Sequence, residues 1–357
     1  MAIHFILLLI VLLINYFTYR KRARSSFVIA FTFIVLFIYL AIRYDYGTDY
    51  LNYYKLFNDQ SLIEDSREIL FWKIFYSFNS YEFFIFCHTA VFLITLYVFL
   101  RKNISPQYYV LFLLSFMLHP GMIYCYITAM RSALAASTFI IIAQYFYIKK
   151  KNIVIYLIGI IIASLFHTSA IVLILLPLFE FIISKLSVKI VLVCYCLLFI
   201  ISAFFLQDII QGILSGFDVF NRYSYYVEED YIDSTSSSII ILRSLYLFPL
   251  YYMLRLYYSH KLSDEFNRIM VIAFLYFVIL FVGLDFQNRY AIILFPYVIA
   301  SVCLTLANTS NMLNKSIIII PYLVVLFYLN YVMYKIYMEN PFIQGNFIYY
   351  HTIFSIQ

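Results

Sequence analysis

Long apolar runs alternate with short polar connections through nearly all of this chain, and that pattern sets the first expectation. Apolar segments fall near 2–18, 26–43, 82–100, 106–125, 129–148, 152–166, 168–184, 187–206, 239–257, 268–284, 289–307 and 316–338. A membrane-spanning helix needs about 20 predominantly apolar residues, so the pattern predicts an all-α polytopic membrane protein with about 12 transmembrane helices, roughly 11–14 in range. The runs are too long for the roughly ten-residue alternating strands of an outer-membrane barrel. The chain reads as a single integral membrane domain over residues 1–357, interrupted by two extended polar loops at 44–81 and 207–238. The first loop holds an aromatic amphipathic patch, Ile69 to Phe78, suited to the membrane interface or to re-entry between helices. The second carries Glu228, Glu229, Asp230 and Asp233 before a Ser/Thr run, the pattern of a solvated loop.

Composition sharpens this picture. Only 12% of residues are charged and 65% belong to the hydrophobic set, whereas a soluble domain carries about 25% charge. No water-facing surface can be made from such a chain. The five cysteines, Cys87, Cys125, Cys194, Cys196 and Cys303, are odd in number and mostly intramembrane, which argues against a disulfide framework. The first segment is followed by basic residues, not preceded by them, so it is expected to be a retained helix and not a signal peptide.

The formal charge of +6 says less than its placement. Alternate connections carry Arg20, Lys21, Arg22 and Arg24; Arg101 and Lys102; Lys149, Lys150 and Lys151; Lys185 and Lys189; Arg255, Lys261 and Arg268; and Lys315. Only Glu180, Asp264 and Glu265 oppose them on that side. By the positive-inside rule this side faces the cytoplasm. An even helix count then puts both termini outside the cytoplasm, and the loops 44–81 and 207–238 with them. Nucleic-acid binding finds no support in this distribution.

The remaining arginines need a reason. Arg43, Arg131, Arg243 and Arg289 sit at predicted outer helix ends and Arg222 in an outer loop, where the positive-inside rule predicts depletion. Each can snorkel to lipid headgroups. Several together can instead hold an anion, because a guanidinium keeps its charge and offers a rigid fork of donors. His119, before Pro120–Gly121, and His167 share that outer level. Asp45 and Asp49 lie four residues apart after Arg43, placed either to bind sugar hydroxyls or a proton, or to pair with Arg43. No HExxH or other metal spacing and no phosphate-binding glycine loop is present, so neither a metal nor a nucleotide cofactor is expected.

The run Arg43-Tyr44-Asp45-Tyr46-Gly47-Thr48-Asp49-Tyr50, with Tyr53 and Phe57, resembles the N-terminal signature of the EpsG family, membrane proteins of exopolysaccharide assembly related to Wzy-type polymerases. Arg131 with Ser132 and Ala135 is similar to a second element, although Ser132 stands where that family often has Gln. Phe166-His167-Thr168-Ser169-Ala170, Asn221-Arg222-Tyr223, and Asn288-Arg289-Tyr290 with Pro296-Tyr297 resemble three more, in the family's order. The resemblance implies a metal- and nucleotide-independent glycosyltransferase of the bacterial cytoplasmic membrane. It would polymerise oligosaccharide repeat units carried on undecaprenyl pyrophosphate at the outer face, with a chain-length regulator and a flippase as candidate partners.

That chemistry needs a stabilised leaving pyrophosphate, a base for the acceptor hydroxyl, and alignment of both substrates. The expected catalytic residues are Arg131 and Arg289 for the donor pyrophosphate, with His167 and Asp49 as candidate bases. Arg43, Asp45, Tyr50, His119, Arg222 and Arg243 are the expected substrate-binding residues. Imidazole, ordinarily titrating near about 6.5, suits proton transfer at neutral pH. Two rivals remain from sequence: a membrane acyltransferase acting on surface glycans, which needs a histidine on a through-membrane channel, and a transporter or flippase, which needs polar residues at mid-membrane.

Overall fold

A computed structural model describes residues 25–47, 49–62, 68–201, 243–282, 287–339 and 351–352. The architecture is all-α apart from one two-residue antiparallel pairing. In chain order the helices are α1 (Ser25–Ala41), α2 (Tyr50–Asn58), α3 (Ile69–Phe75), α4 (Tyr81–Asn103), α5 (Tyr109–Leu118), α6 (Pro120–Thr128) and α7 (Met130–Ile142), which continues as a π-helix over Ala143–Lys149. Next come α8 (Ile153–Ser164), a 3-10 helix (Thr168–Leu175) running into α9 (Leu176–Lys185), and α10 (Val188–Ile201). The last four are α11 (Leu247–Tyr257), α12 (Asp264–Val282), α13 (Gln287–Asn308) and α14 (Met312–Glu339). The short strands β1 (Arg43–Tyr44) and β2 (His351–Thr352) pair Arg43 with Thr352.

The expectation of about 12 spanning helices is corrected. Among the described residues five helices are long and apolar enough to cross a membrane: Tyr81–Asn103, Met130–Lys149, Thr168–Lys185, Tyr290–Asn308 and Met312–Val332. A sixth is added if the bent pair Pro106–Leu118 and Pro120–Thr128 counts as one span. Apolar run length misled because a run is not always one helix. The 106–125 run breaks at His119–Pro120 with a 73° bend, and the 152–166 run yields a 12-residue helix. Twelve residues rise about 18 Å, short of the roughly 30 Å hydrocarbon core. The 187–206 and 239–257 runs give only Val188–Ile201 and Leu247–Tyr257 among the described residues. With five or six such helices among the described residues, the parity argument for the two termini loses its premise of twelve. The predicted segment 2–18 and the loop 207–238 lie outside the described residues.

Helix starts follow local chemistry. Ser80 caps α4 by accepting the Phe83 N–H at 3.2 Å, with Glu82 in the first turn and Arg101 and Lys102 in the last, each where the helix dipole favours it. Asn152 caps α8 through the Ile155 N–H. The interior is built around α13, whose Ala291 to Ala300 segment is buried throughout, and which packs against α6, α7 and α12. Large apolar side chains such as Phe27, Val154, Leu178 and Phe181 are instead exposed, as a lipid-facing surface requires.

The spans have two chemically distinct ends. Lys102 donates to the Tyr145 hydroxyl at 2.5 Å, and Arg268 donates to the carbonyls of Tyr147 and Ile148. Tyr147 donates to Glu180 at 2.7 Å, and Arg268 Nε lies 3.7 Å from the same carboxylate. The C-terminal ends of α4, the α7 π-extension and α9, together with the start of α12, therefore meet at one basic end. The N-terminal ends of α4, α7 and the Thr168 helix lie at the other. Because α12 leaves the basic end and rises about 28 Å, α13 begins at that other end too.

The 44–81 loop is docked on the bundle. Gly47 has φ +110°, and a Cβ built on it would lie 2.5 Å from Ile127 Cγ2 and 3.2 Å from the Ile127 carbonyl oxygen. Only glycine meets both demands. Replacing Gly47 with Ala is expected to lower stability by about 1–3 kcal/mol, read as a clear fall in melting temperature in detergent; an unchanged melt would show that this loop does not need its close approach to α6.

Candidate functional site

The site is assembled from three stretches of chain. Glu68 immediately precedes α3, and the N–H groups of Leu70 and Phe71 both donate to the Leu165 carbonyl, at 3.2 and 3.4 Å. This tether, together with Phe71 and Phe75 buried against Tyr53 and Phe84, sets the Glu68 side chain between two helix starts. Its Oε2 lies 2.5 Å from Arg131 Nη1, in the first turn of α7. Its Oε1 lies 2.5 Å from His167 Nδ1 and accepts the Thr168 N–H at 3.2 Å, at the start of the 3-10 helix. Arg131 Nε donates to the Tyr53 hydroxyl of α2 at 3.0 Å, and its guanidinium lies 5.9 Å from the Trp72 ring.

Glu68 is 6% exposed. Burial alone works against its charge, but the bond from His167, the Arg131 guanidinium and the Thr168 N–H together hold its carboxyl below the usual range. Burial pushes the Tyr53 hydroxyl up to about 12, so it stays protonated. Since a carboxylate only accepts, His167 presents Nδ1–H to Glu68, and Nε2 of the neutral ring carries the lone pair. That Nε2 is buried without a hydrogen-bond partner, and so are the Ser169 Oγ two residues on and the Trp72 Nε1 one helical turn from Glu68. Each such group costs about 1–3 kcal/mol when left unmade, and an orphaned buried polar atom calls for a ligand or water. Arg131 is the accessible member, its side chain 39% exposed.

His119 lies elsewhere, at the bend between α5 and α6. Its Nδ1 accepts the Gly121 N–H at 3.1 Å, which leaves Nε2–H to donate to the Tyr276 hydroxyl at 3.0 Å. Both ring nitrogens are thus engaged, unlike those of His167. Arg243 comes within electrostatic reach of the same Tyr276. Arg43 is wholly buried, donates to the Leu40 carbonyl at 2.8 Å and lies 5.3 Å from the Tyr126 ring. Tyr126 contacts His88 Nδ1 at 3.1 Å and Thr89 Oγ1 at 2.6 Å, and His88 Nε2 bonds the Met130 carbonyl at 3.0 Å. This buried chain anchors the residue before Arg131. Tyr50 is buried edge-on against Tyr44 and Tyr81. Asp49 stands at the start of α2, within electrostatic reach of Tyr53, and Asp45 takes a left-handed conformation with φ +46°.

Of the expected site residues, then, Arg131 and His167 meet on Glu68, Asp49 lies one turn from Tyr53, and His119 and Arg243 form a second group. Arg222 and the Arg289 side chain lie outside the described residues, although Arg289 belongs to the first turn of α13, at the same end of the bundle as Met130. Glu68 was missed. Its sequence signal was an acid directly before the aromatic patch Ile69 to Phe78, at the favourable end of a helix dipole. Among the described residues no group of three or more His, Cys, Asp or Glu is placed to hold a metal.

Fold and site define a polytopic helical membrane protein with a carboxylate-centred polar group at one end of its spans. The model of the EpsG family matches residues 26–351, and the chain belongs to that family. No curated protein and no solved structure matches it.

Glu68 should link stability to pH. Its folded-state pKa is depressed, so its contribution is complete above the ordinary carboxylate value of about 4.3 and is lost as pH falls through the lower folded value. Glu68→Gln is expected to melt earlier than the wild type at neutral pH, by the equivalent of about 1–3 kcal/mol after allowing for the exposed side of Arg131. The gap should close on acidification; melting curves that stay parallel down to strongly acidic pH would contradict this account.

Proposed function

We propose that this protein polymerises lipid-linked oligosaccharide repeat units by glycosyl transfer on undecaprenyl pyrophosphate at the outer face of the bacterial cytoplasmic membrane. Membership of the EpsG family is consistent with a polysaccharide-polymerase role. The observation that carries the finer reading is Glu68 joining His167 and Arg131 at the end of the spans opposite the basic cluster. The positive-inside rule assigns the basic end to the cytoplasm, which leaves the Glu68 group on the outer side, where flipped repeat units are exposed.

In this reading the acceptor hydroxyl bonds to His167 Nε2. As its oxygen attacks the anomeric carbon of the donor glycan, its proton passes to Nε2. The anomeric carbon–oxygen bond to the carrier breaks, and the electron pair leaves with the lipid pyrophosphate. Glu68 keeps Nε2 as the basic nitrogen and stabilises the imidazolium that forms, then the proton is lost to water. The positive charge of Arg131 is already balanced by Glu68, so Arg131 serves to orient this group. The pyrophosphate then falls to Arg289 with Arg243 and Arg222, the other arginines expected on that side of the membrane.

The test is reconstitution of the purified protein with its lipid-linked repeat unit, followed as a ladder of longer lipid-linked glycans in the absence of nucleotide. His167→Gln should lower turnover by about 10²- to 10⁴-fold, and Arg289→Ala should abolish elongation while membrane insertion stays intact. Recovery of only single or acetylated units from the wild type would end the polymerase reading.

A further inference from the structure

We propose that Trp72, Ser169 and His167 form a subsite for the ring hydroxyls of an uncharged acceptor sugar. The proposal rests on the polymerase reading and says which substrate meets the Glu68 group. Three polar atoms on segments that carry that group, the Trp72 indole Nε1, the Ser169 Oγ and the His167 Nε2, are buried from water with no hydrogen-bond partner in the protein. Trp72 reaches this place from α3, one turn beyond Glu68, with its ring beside the Arg131 guanidinium. Ser169 and His167 reach it from the start of the 3-10 helix, whose Thr168 N–H is fastened to Glu68.

The donor and acceptor types suit a polyol. An indole N–H only donates, the Nδ1-protonated imidazole accepts at Nε2, and a serine hydroxyl does both; neighbouring sugar hydroxyls present the same mixture. Charge separates this ligand from a phosphate. Arg131 and Glu68 cancel at 2.5 Å, so a pyrophosphate would find no uncompensated cation among these residues, while a neutral sugar incurs no such cost. Entry is from the side of Arg131, the most exposed of the paired groups.

Trp72 is also the single tryptophan of the chain, so its emission reports this place alone. The full-length protein in detergent would be titrated with the free oligosaccharide released from the producing cell's own lipid-linked unit, and separately with inorganic pyrophosphate. The expected result is a saturable change in emission with the oligosaccharide and none with pyrophosphate. Ser169→Ala should bind the oligosaccharide about 3- to 10-fold more weakly with an unchanged melting temperature, because the hydroxyl it loses has no partner within the protein. In the ladder assay Trp72→Phe should raise the acceptor KM by a similar factor with kcat retained. An emission change driven by pyrophosphate, no saturable change with the oligosaccharide, wild-type affinity in Ser169→Ala, or an unchanged KM in Trp72→Phe would each overturn the subsite. Binding without a ladder from the wild type would sink the polymerase reading and leave the sugar subsite standing.

Discussion

The carboxylate of Glu68 is the fixed point of this molecule's polar chemistry. One oxygen holds Arg131 and the other holds both His167 and the Thr168 backbone, so a single side chain registers the starts of two spanning segments against each other. A buried carboxylate is tolerated only when its lone pairs are filled and its charge is matched. Here both conditions are met by partners 63 and 99 residues away along the chain. The tether of α3 to Leu165 and the docking of Gly47 on Ile127 then become parts of one arrangement. They deliver Glu68 and Tyr53 from the 44–81 loop to helix ends that would otherwise carry an arginine and a histidine with no shared partner.

The opposite end of the bundle uses its charges differently. Arg268 is spent on the carbonyls at the end of the π-helix and on Glu180, and Lys102 lies over the Tyr145 ring. Those contacts close helix termini, where orphaned carbonyls need donors. Nothing comparable occupies His167 Nε2, Ser169 Oγ or Trp72 Nε1. At the basic end the cations are turned onto the protein's own carbonyls and carboxylate, whereas beside Glu68 an imidazole nitrogen, a hydroxyl and an indole N–H are left without a partner.

How much of this was legible beforehand depended on whether the signal was local. The helical class and the membrane setting follow from run length and scarcity of charge, both properties of neighbouring residues. The number of spans does not, because an apolar run cannot announce a bend such as that at His119–Pro120, nor distinguish a 12-residue helix from a crossing. Arg131 and His167 stood out as polar residues at the starts of apolar runs. Glu68 did not, since no periodicity relates positions 68, 131 and 167, and its meaning appears only once three segments meet. Arg43 shows a setting that its neighbours in sequence did not announce. Its place beside Asp45 and Asp49 suited either a ligand site or a simple ion pair, and the side chain is wholly buried beside Tyr126, next to the network that holds Met130, with Nε and Nη2 unpartnered.

The proposed reaction gives the arginines two kinds of work. An arginine that pairs with Glu68 can orient a base and shape a cavity, but its charge is no longer available to a leaving group. If the same residue had to do both, binding the pyrophosphate would compete with Glu68 for the guanidinium and release the carboxylate that sets the His167 tautomer. In the proposed reaction, separating the roles avoids this conflict: Arg131 stays paired with Glu68 beside the bound hydroxyl, while the pyrophosphate is met by cations carried on other elements. The α13 start that bears Arg289 and the segment bearing Arg243 both lie toward that end of the bundle, on helices that pack directly on one another. In the proposed reaction the bond to be made and the bond to be broken thus fall to groups on separate parts of the fold, and the sugar must bridge them.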